Sequence, residues 1–273
     1  MFGILTIQQP EELALSRRAA LRFRPNTGVQ YGDGLFRMAM YCCAQVTLPE
    51  SWSDRLREKR VERALRCLRT KGVQEAVLPT EWNEKARQTG IVPVRRRAAL
   101  EACATQAVSL ACERLGLAMG QVGLTVYGRN LSPCAAAQLL TLARSVRTVR
   151  VYGEDNEQLR ISLWRSCGIA QQGALPEGLP VVGLLLPGGA AQKTPLLTVD
   201  LSDGEGSGEG MVWQPQPLPP QGALDRMPPG ADAGAFAAVL LQKGAIQARE
   251  IRVSRLDIPV STQYNKEIVE NCL

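Results

Sequence analysis

Residues 128 to 132, Gly-Arg-Asn-Leu-Ser, stand where an α/β protein would grip a phosphate: they follow the apolar run Gly123 to Tyr127 and end at the helix start Ser132-Pro133. A serine hydroxyl caps an orphan amide and a proline has none to leave unpaired, so the pair marks a helix N-terminus, the end that attracts anions. In a dinucleotide site Gly128 would turn the chain and the helix would aim its amides at a phosphate. Glu154 or Asp155, following Gly153 after the next strand, would bind a ribose. Gly128, Arg129, Asn130, Ser132, Gly153 and Glu154 are thus the candidate contacts for NAD(P) or another nucleotide.

The loop departs from the dinucleotide fingerprint, which needs three glycines where this chain has one. Asn130 and Leu131 put side chains where backbone should approach a pyrophosphate, and Asp155 is placed to cap the following helix. A second loop, Pro187 to Thr194, ends in Lys-Thr after a glycine-bearing turn. It lacks glycine where Pro187 and Gln192 stand, and Pro195 blocks the helix that should hold the phosphates. It reads as an ordinary strand-to-strand connection.

Histidine is absent from all 273 residues. Triads that rely on imidazole are excluded, and the commonest neutral metal ligand is missing. None of the six lysines sits in an SxxK signature, and Ser207, in the run Gly204 to Gly210, lies in no GxSxG elbow. The eight cysteines, at 42, 43, 67, 103, 112, 134, 167 and 272, form no CxxC pair. They predict no metal site, small buried hydrophobes and a reducing, cytoplasmic setting. No apolar stretch reaches the roughly 18 residues of a membrane helix, and the first residues predict no secretory signal.

These chemistries need elements to carry them. From residue 121 to 155 the pattern reads strand, loop, capped helix and strand, the unit of nucleotide-binding α/β domains. Helices are predicted over 53 to 71, 80 to 89 and from 95 to about 115, then from Ser132 and from Asp155. Uniformly apolar Leu179 to Leu186 and Leu196 to Leu201 read as central strands covered on both faces. Leu35 to Leu48 alternates with a period of two and reads as one long strand. Leu65, Leu68 and Val77 match Leu139, Leu142 and Val151 at one constant offset. Either a duplication or two successive helix-strand units of one doubly wound domain would give that pattern.

The expected fold class is α/β, a Rossmann-like, mostly parallel sheet with helices on both faces plus a small β-containing subdomain from the two termini. The boundaries are 1–50 for an N-terminal β-rich segment, 51–201 for the Rossmann-like core and 202–231 for a Gly/Pro-rich loop or linker. In 232–273 a helix capped by Asp232 and a strand near 250 to 256 are expected to pack back on the N-terminal part.

The functional reading that follows is a non-catalytic binding or interaction protein with a degenerate nucleotide-binding loop. Its partner would be a small anionic ligand or another protein, and no membrane. The alternative is an NAD(P)- or other nucleotide-dependent enzyme with a divergent loop at 128 to 132. A third is phosphate or nucleic-acid binding through the arginine-rich helix 53 to 71 and Arg95 to Arg97, given a net charge of +6. No aromatics interleave with those cations and no nucleic-acid-binding signature occurs, which counts against nucleic acid as a partner.

Overall fold

The computed structural model describes residues 1–8, 29–49, 51–129, 131–152, 157–167, 178–191 and 195–257. In chain order the elements begin with strands β1 (Phe2–Gln8), β2 (Val29–Phe36) and β3 (Ala39–Thr47), helix α1 (Asp54–Thr70), β4 (Glu75–Val77), helix α2 (Asn83–Gln88) and β5 (Val92–Pro93). Helices α3 (Arg97–Ala102) and α4 (Ala104–Arg114) follow, then β6 (Gly123–Tyr127), helix α5 (Pro133–Ala143), β7 (Thr148–Tyr152), helix α6 (Glu157–Cys167) and β8 (Val181–Leu185). The chain continues with β9 (Ala190–Ala191), β10 (Leu197–Asp200), β11 (Ser207–Gly208), β12 (Val212–Leu218), helices α7 (Gln221–Leu224) and α8 (Ala233–Gln242), and β13 (Arg252–Asp257). The architecture is α/β, with mostly parallel sheets flanked by helices.

Two compact units divide the chain, 1–95 with 219–246 and 96–218 with 247–273. The first holds a five-stranded sheet in the order β2-β3-β1-β4-β5, parallel except for the β2–β3 hairpin. The alternating run from Leu35 to Leu48 is split by that hairpin, because Arg37 takes a left-handed φ of 52°. Two contacts hold Arg37 there: its guanidinium donates to the Ala245 carbonyl at 2.7 Å and lies over the Phe36 ring. Helix α1 buries Val61, Ala64, Leu65 and Leu68 against Leu5, Cys42, Ala44 and Val46 of the sheet. Each such leucine removed from water contributes roughly 1.5–3 kcal/mol. Phe236 of α8 closes a ring cluster with Phe2 and Tyr41, and Asp232 caps α8 by accepting the Ala235 amide at 2.9 Å.

The second unit holds a six-stranded sheet ordered β13-β12-β10-β8-β6-β7. Strands β6, β7, β8, β10 and β12 run parallel, and β13 is antiparallel at the edge. Leu124, Val126, Val182, Leu184, Leu197 and Val199 alternate onto one face and pack in a single core with Val108 and Ala111 of α4, Leu139 and Leu142 of α5 and Leu163 of α6. The helix expected from 95 to about 115 is interrupted at Cys103, whose ψ of 9° ends α3 before α4 begins.

Two segments differ from the sequence reading for identifiable reasons. Within the Gly/Pro-rich 202–231 stretch, Val212 and Trp213 pair with β10, and Pro215 and Pro217 continue the strand beyond that contact against β13, with a register shift between them. Proline lacks an amide donor and fits a strand where one side needs none. Strand β13 pairs with β12, because α4 clamps it. Gln106 donates to the Ile251 carbonyl and accepts the Val253 amide, both at 3.1 Å, and Arg114 donates to the Leu256 carbonyl at 3.0 Å.

Among the described residues no helix is long and apolar enough to cross a membrane.

Candidate functional site

From β6 the chain crosses through α5 to β7 on one side, then returns through α6 to β8 on the other. The carboxyl ends of β6 and β8 therefore flank the point where strand order reverses, the place where open α/β sheets bind ligands. Gly128, Arg129 and Ser132 lie just after the carboxyl end of β6. Asn130, Gly153, Glu154 and Asp155 lie outside the described residues.

Backbone fills the gap between these two strands. Their ladder continues past the strand ends, with Leu186 donating to the Tyr127 carbonyl at 2.8 Å and Arg129 donating to the Pro187 carbonyl at 3.2 Å. Gly128 lies outside the left-handed region; what demands glycine is space, since a Cβ there would stand 2.7 Å from Cβ of Leu186. A Cβ on Gly189 would stand 2.5 Å from the Tyr127 carbonyl oxygen. Beside this seam Tyr127 and Tyr152 stack with centroids 5.2 Å apart, and the Arg150 guanidinium lies 4.5 Å from the Tyr152 centroid.

The first turn of α5 is also spoken for. Pro133 has no amide, and Ser132 Oγ accepts the Ala135 amide at 3.1 Å. The same hydroxyl donates to the carboxylate of Glu101, a residue only 3 % exposed. Glu101 takes its second partner from Arg97, whose Nε donates at 2.9 Å. A side-chain carboxylate thus lies beside the N-cap of α5, the end of a helix that favours negative charge. Cys134 shares this first turn, but burial and then the Glu101 carboxylate push its thiol above the usual range, so it is no ready thiolate.

Next to this cluster, at the carboxyl end of β10 and alongside β12, lies a cavity of about 150 Å³ between Arg96, Leu100, Asp200, Asp203, Gln214 and Pro215. Asp200 accepts from the Ser202 amide at 2.8 Å and from Gln214 at 2.9 Å. Asp203 accepts from the Arg96 amide at 2.9 Å and from Arg96 Nε at 3.2 Å, and holds a left-handed φ of 53°. The cavity falls below the roughly 300 Å³ at which ligand pockets begin, so it has no room for a dinucleotide.

No family model matches the chain, and no curated protein matches it. Among solved structures the chain resembles a hetero-hexameric glutamate dehydrogenase from Thermus thermophilus in its Leu-bound form, at 12% identity and a TM-score of 0.32, over 91% of this chain and 70% of that one. L-tryptophan dehydrogenase from Nostoc punctiforme gives 11% identity and a TM-score of 0.28, over 76% and 63%. An NADP-complexed N5,N10-methylenetetrahydrofolate dehydrogenase-cyclohydrolase from Trypanosoma brucei gives 15% and 0.22, over 88% and 84%. Likeness this slight carries nothing about ligand or reaction.

Sequence reasoning missed Glu101, Asp200, Asp203 and Gln214. Glu101 had a signal, since it is a lone acid inside the apolar run Ala98 to Ala104. Asp200 closes an apolar strand, a position that points to the carboxyl edge of the sheet. Nothing local marked Gln214. Among the described residues the seven cysteines are free and no three acids or thiols gather as a metal site.

Proposed function

We propose that this chain is a non-catalytic binding protein on a nucleotide-domain scaffold whose dinucleotide crevice is closed by its own residues. One observation carries the reading: the Glu101 carboxylate, bonded to Ser132, sits at the N-terminus of α5 where a phosphate would have to lie. A pyrophosphate would meet a buried negative charge and a first turn whose Ala135 amide is already engaged.

Thermal denaturation with NAD, NADP, S-adenosylmethionine and ATP tests it. A ligand at a hundred times its dissociation constant adds about 2.7 kcal/mol, so a bound nucleotide is readily seen. No shift is expected with any of the four. A shift with one of them that Gly128→Val removes, in a variant that still unfolds cooperatively, overturns the reading in favour of a nucleotide-dependent enzyme. That second reading is supported by the parallel pairing of β6 with β7 across the α5 crossover.

A further inference from the structure

Helix α1 carries seven cations and three carboxylates, and the carboxylates are all engaged. Asp54 pairs with Arg57 at 3.8 Å, Glu58 with Lys85 at 3.4 Å and Glu62 with Arg66 at 2.6 Å. Two further cations have other contacts. Arg60 lies over the Trp52 ring, 5.4 Å from its centroid, and Arg69 donates to the Val73 carbonyl at 3.4 Å. That leaves Arg55, Lys59 and Arg63, all exposed and without a carboxylate partner among the described residues. Arg63 has the phenol of Tyr31 within its field.

Their spacing is four residues. On an α-helix each step advances about 6 Å and turns about 40°, so the three cations form one slanting stripe roughly 12 Å long. The opposite face of α1, Val61, Leu65 and Leu68, is committed to the sheet. By contrast, the arginine run that the sequence also singles out is tied internally: Arg96 to Asp203, and Arg97 to Glu101 and Glu205.

We propose that the Arg55–Lys59–Arg63 stripe docks the phosphodiester backbone of a nucleic acid without reading its bases. Charge complementarity supplies the occupant. A duplex presents a phosphate about every 1.7 Å of axis, so a stripe of this length finds partners at any register. A lipid surface would need an apolar face beside the cations, and the one large exposed apolar side chain on α1 is Leu56. Base reading would need a stacking platform, and the nearby Trp52 is covered by Arg60. Lack of interleaved aromatics therefore counts against sequence recognition and leaves backbone binding open. This inference stands apart from the closed crevice.

Fluorescence anisotropy of the full chain with labelled DNA duplexes of unrelated sequence tests it. Three neutralised phosphates give a salt slope near −2.7, so affinity should fall about forty-fold between roughly 50 and 200 mM salt, equally for each sequence. The triple substitution Arg55→Gln, Lys59→Gln, Arg63→Gln should abolish binding and leave the urea midpoint in place. A control that removes the same charge elsewhere, Arg144→Gln with Arg147→Gln and Arg165→Gln, should retain it. No binding at low salt, binding that survives the α1 substitutions, equal loss in the control, or binding to anionic vesicles in preference to DNA would each overturn the proposal.

Discussion

The hydroxyl of Ser132 serves two masters, accepting the Ala135 amide while donating to the carboxylate of Glu101. One side chain therefore caps α5 and satisfies a carboxylate that α3 has carried into the interior. Because hydrogen bonds to a buried charge are worth more than neutral ones, the two residues should be energetically coupled.

Glu101→Gln is expected to cost about 2 kcal/mol, since it leaves Arg97 facing a neutral group and weakens the bond from Ser132. Ser132→Ala should cost about 1 kcal/mol, the usual loss of a cap. The double variant should cost less than the sum by at least about 0.5 kcal/mol. Urea unfolding of the four proteins measures this, and strict additivity would show that the contact contributes nothing.

The seam between β6 and β8 makes a sharper claim about two glycines. A Cβ at position 128 would stand 2.7 Å from Cβ of Leu186, a single atom fixed to its backbone, so the two chains would have to part slightly and Gly128→Ala should cost about 1–3 kcal/mol. A Cβ at position 189 would meet the carbonyl of Tyr127, which also accepts the Leu186 amide and cannot move without breaking the ladder. Gly189→Ala should therefore be the more damaging of the pair. Thermal midpoints in the opposite order would contradict the packing described.

Much of this geometry was legible in the sequence, and what escaped did so for physical reasons. Ser132-Pro133 and Asp232 announced their helices because capping is a local interaction, complete within four residues. The parallel pairing of β6 with β7 followed from two apolar runs around a capped helix. Strand β12 was hidden because its prolines are acceptable only given neighbours, β10 on one side and β13 on the other, that are distant in sequence. The contacts around Gly128 and Ser132 come from Leu186 and Glu101, 58 residues after and 27 before Gly128, and no local pattern joins such positions. The two glycines missing from the loop hinted at a departure without saying what fills the space.

Asp203 combines an uncommon backbone conformation with an ion pair, and substitutions separate the two. Asparagine tolerates the left-handed region as aspartate does and keeps an acceptor for the Arg96 amide, so Asp203→Asn should cost about 1 kcal/mol. Alanine loses the acceptor and is strained at that φ, so Asp203→Ala should cost about 2 kcal/mol or more. Chemical denaturation gives both values. Equal costs would mean that the backbone conformation is not held by the carboxylate.

Alkaline pH should unfold the chain partly through Cys103. Its thiol is fully buried between α3 and α4, and burial pushes its pKa from the ordinary 9.0 up to about 12. An acid raised in the folded state favours folding only while the unfolded chain stays protonated. The contribution is fully present below pH 9 and is lost as pH climbs toward 12, with a limiting slope of about 1.4 kcal/mol per pH unit. Urea midpoints measured from neutral to strongly alkaline pH should fall along this limb. Cys103→Ala should lower stability at neutral pH through the lost sulfur and its contact with the Leu100 carbonyl, and should make the alkaline fall shallower. If the variant keeps the same alkaline steepness, the other thiols raised by burial, Cys43 near 11 among them, carry the effect instead.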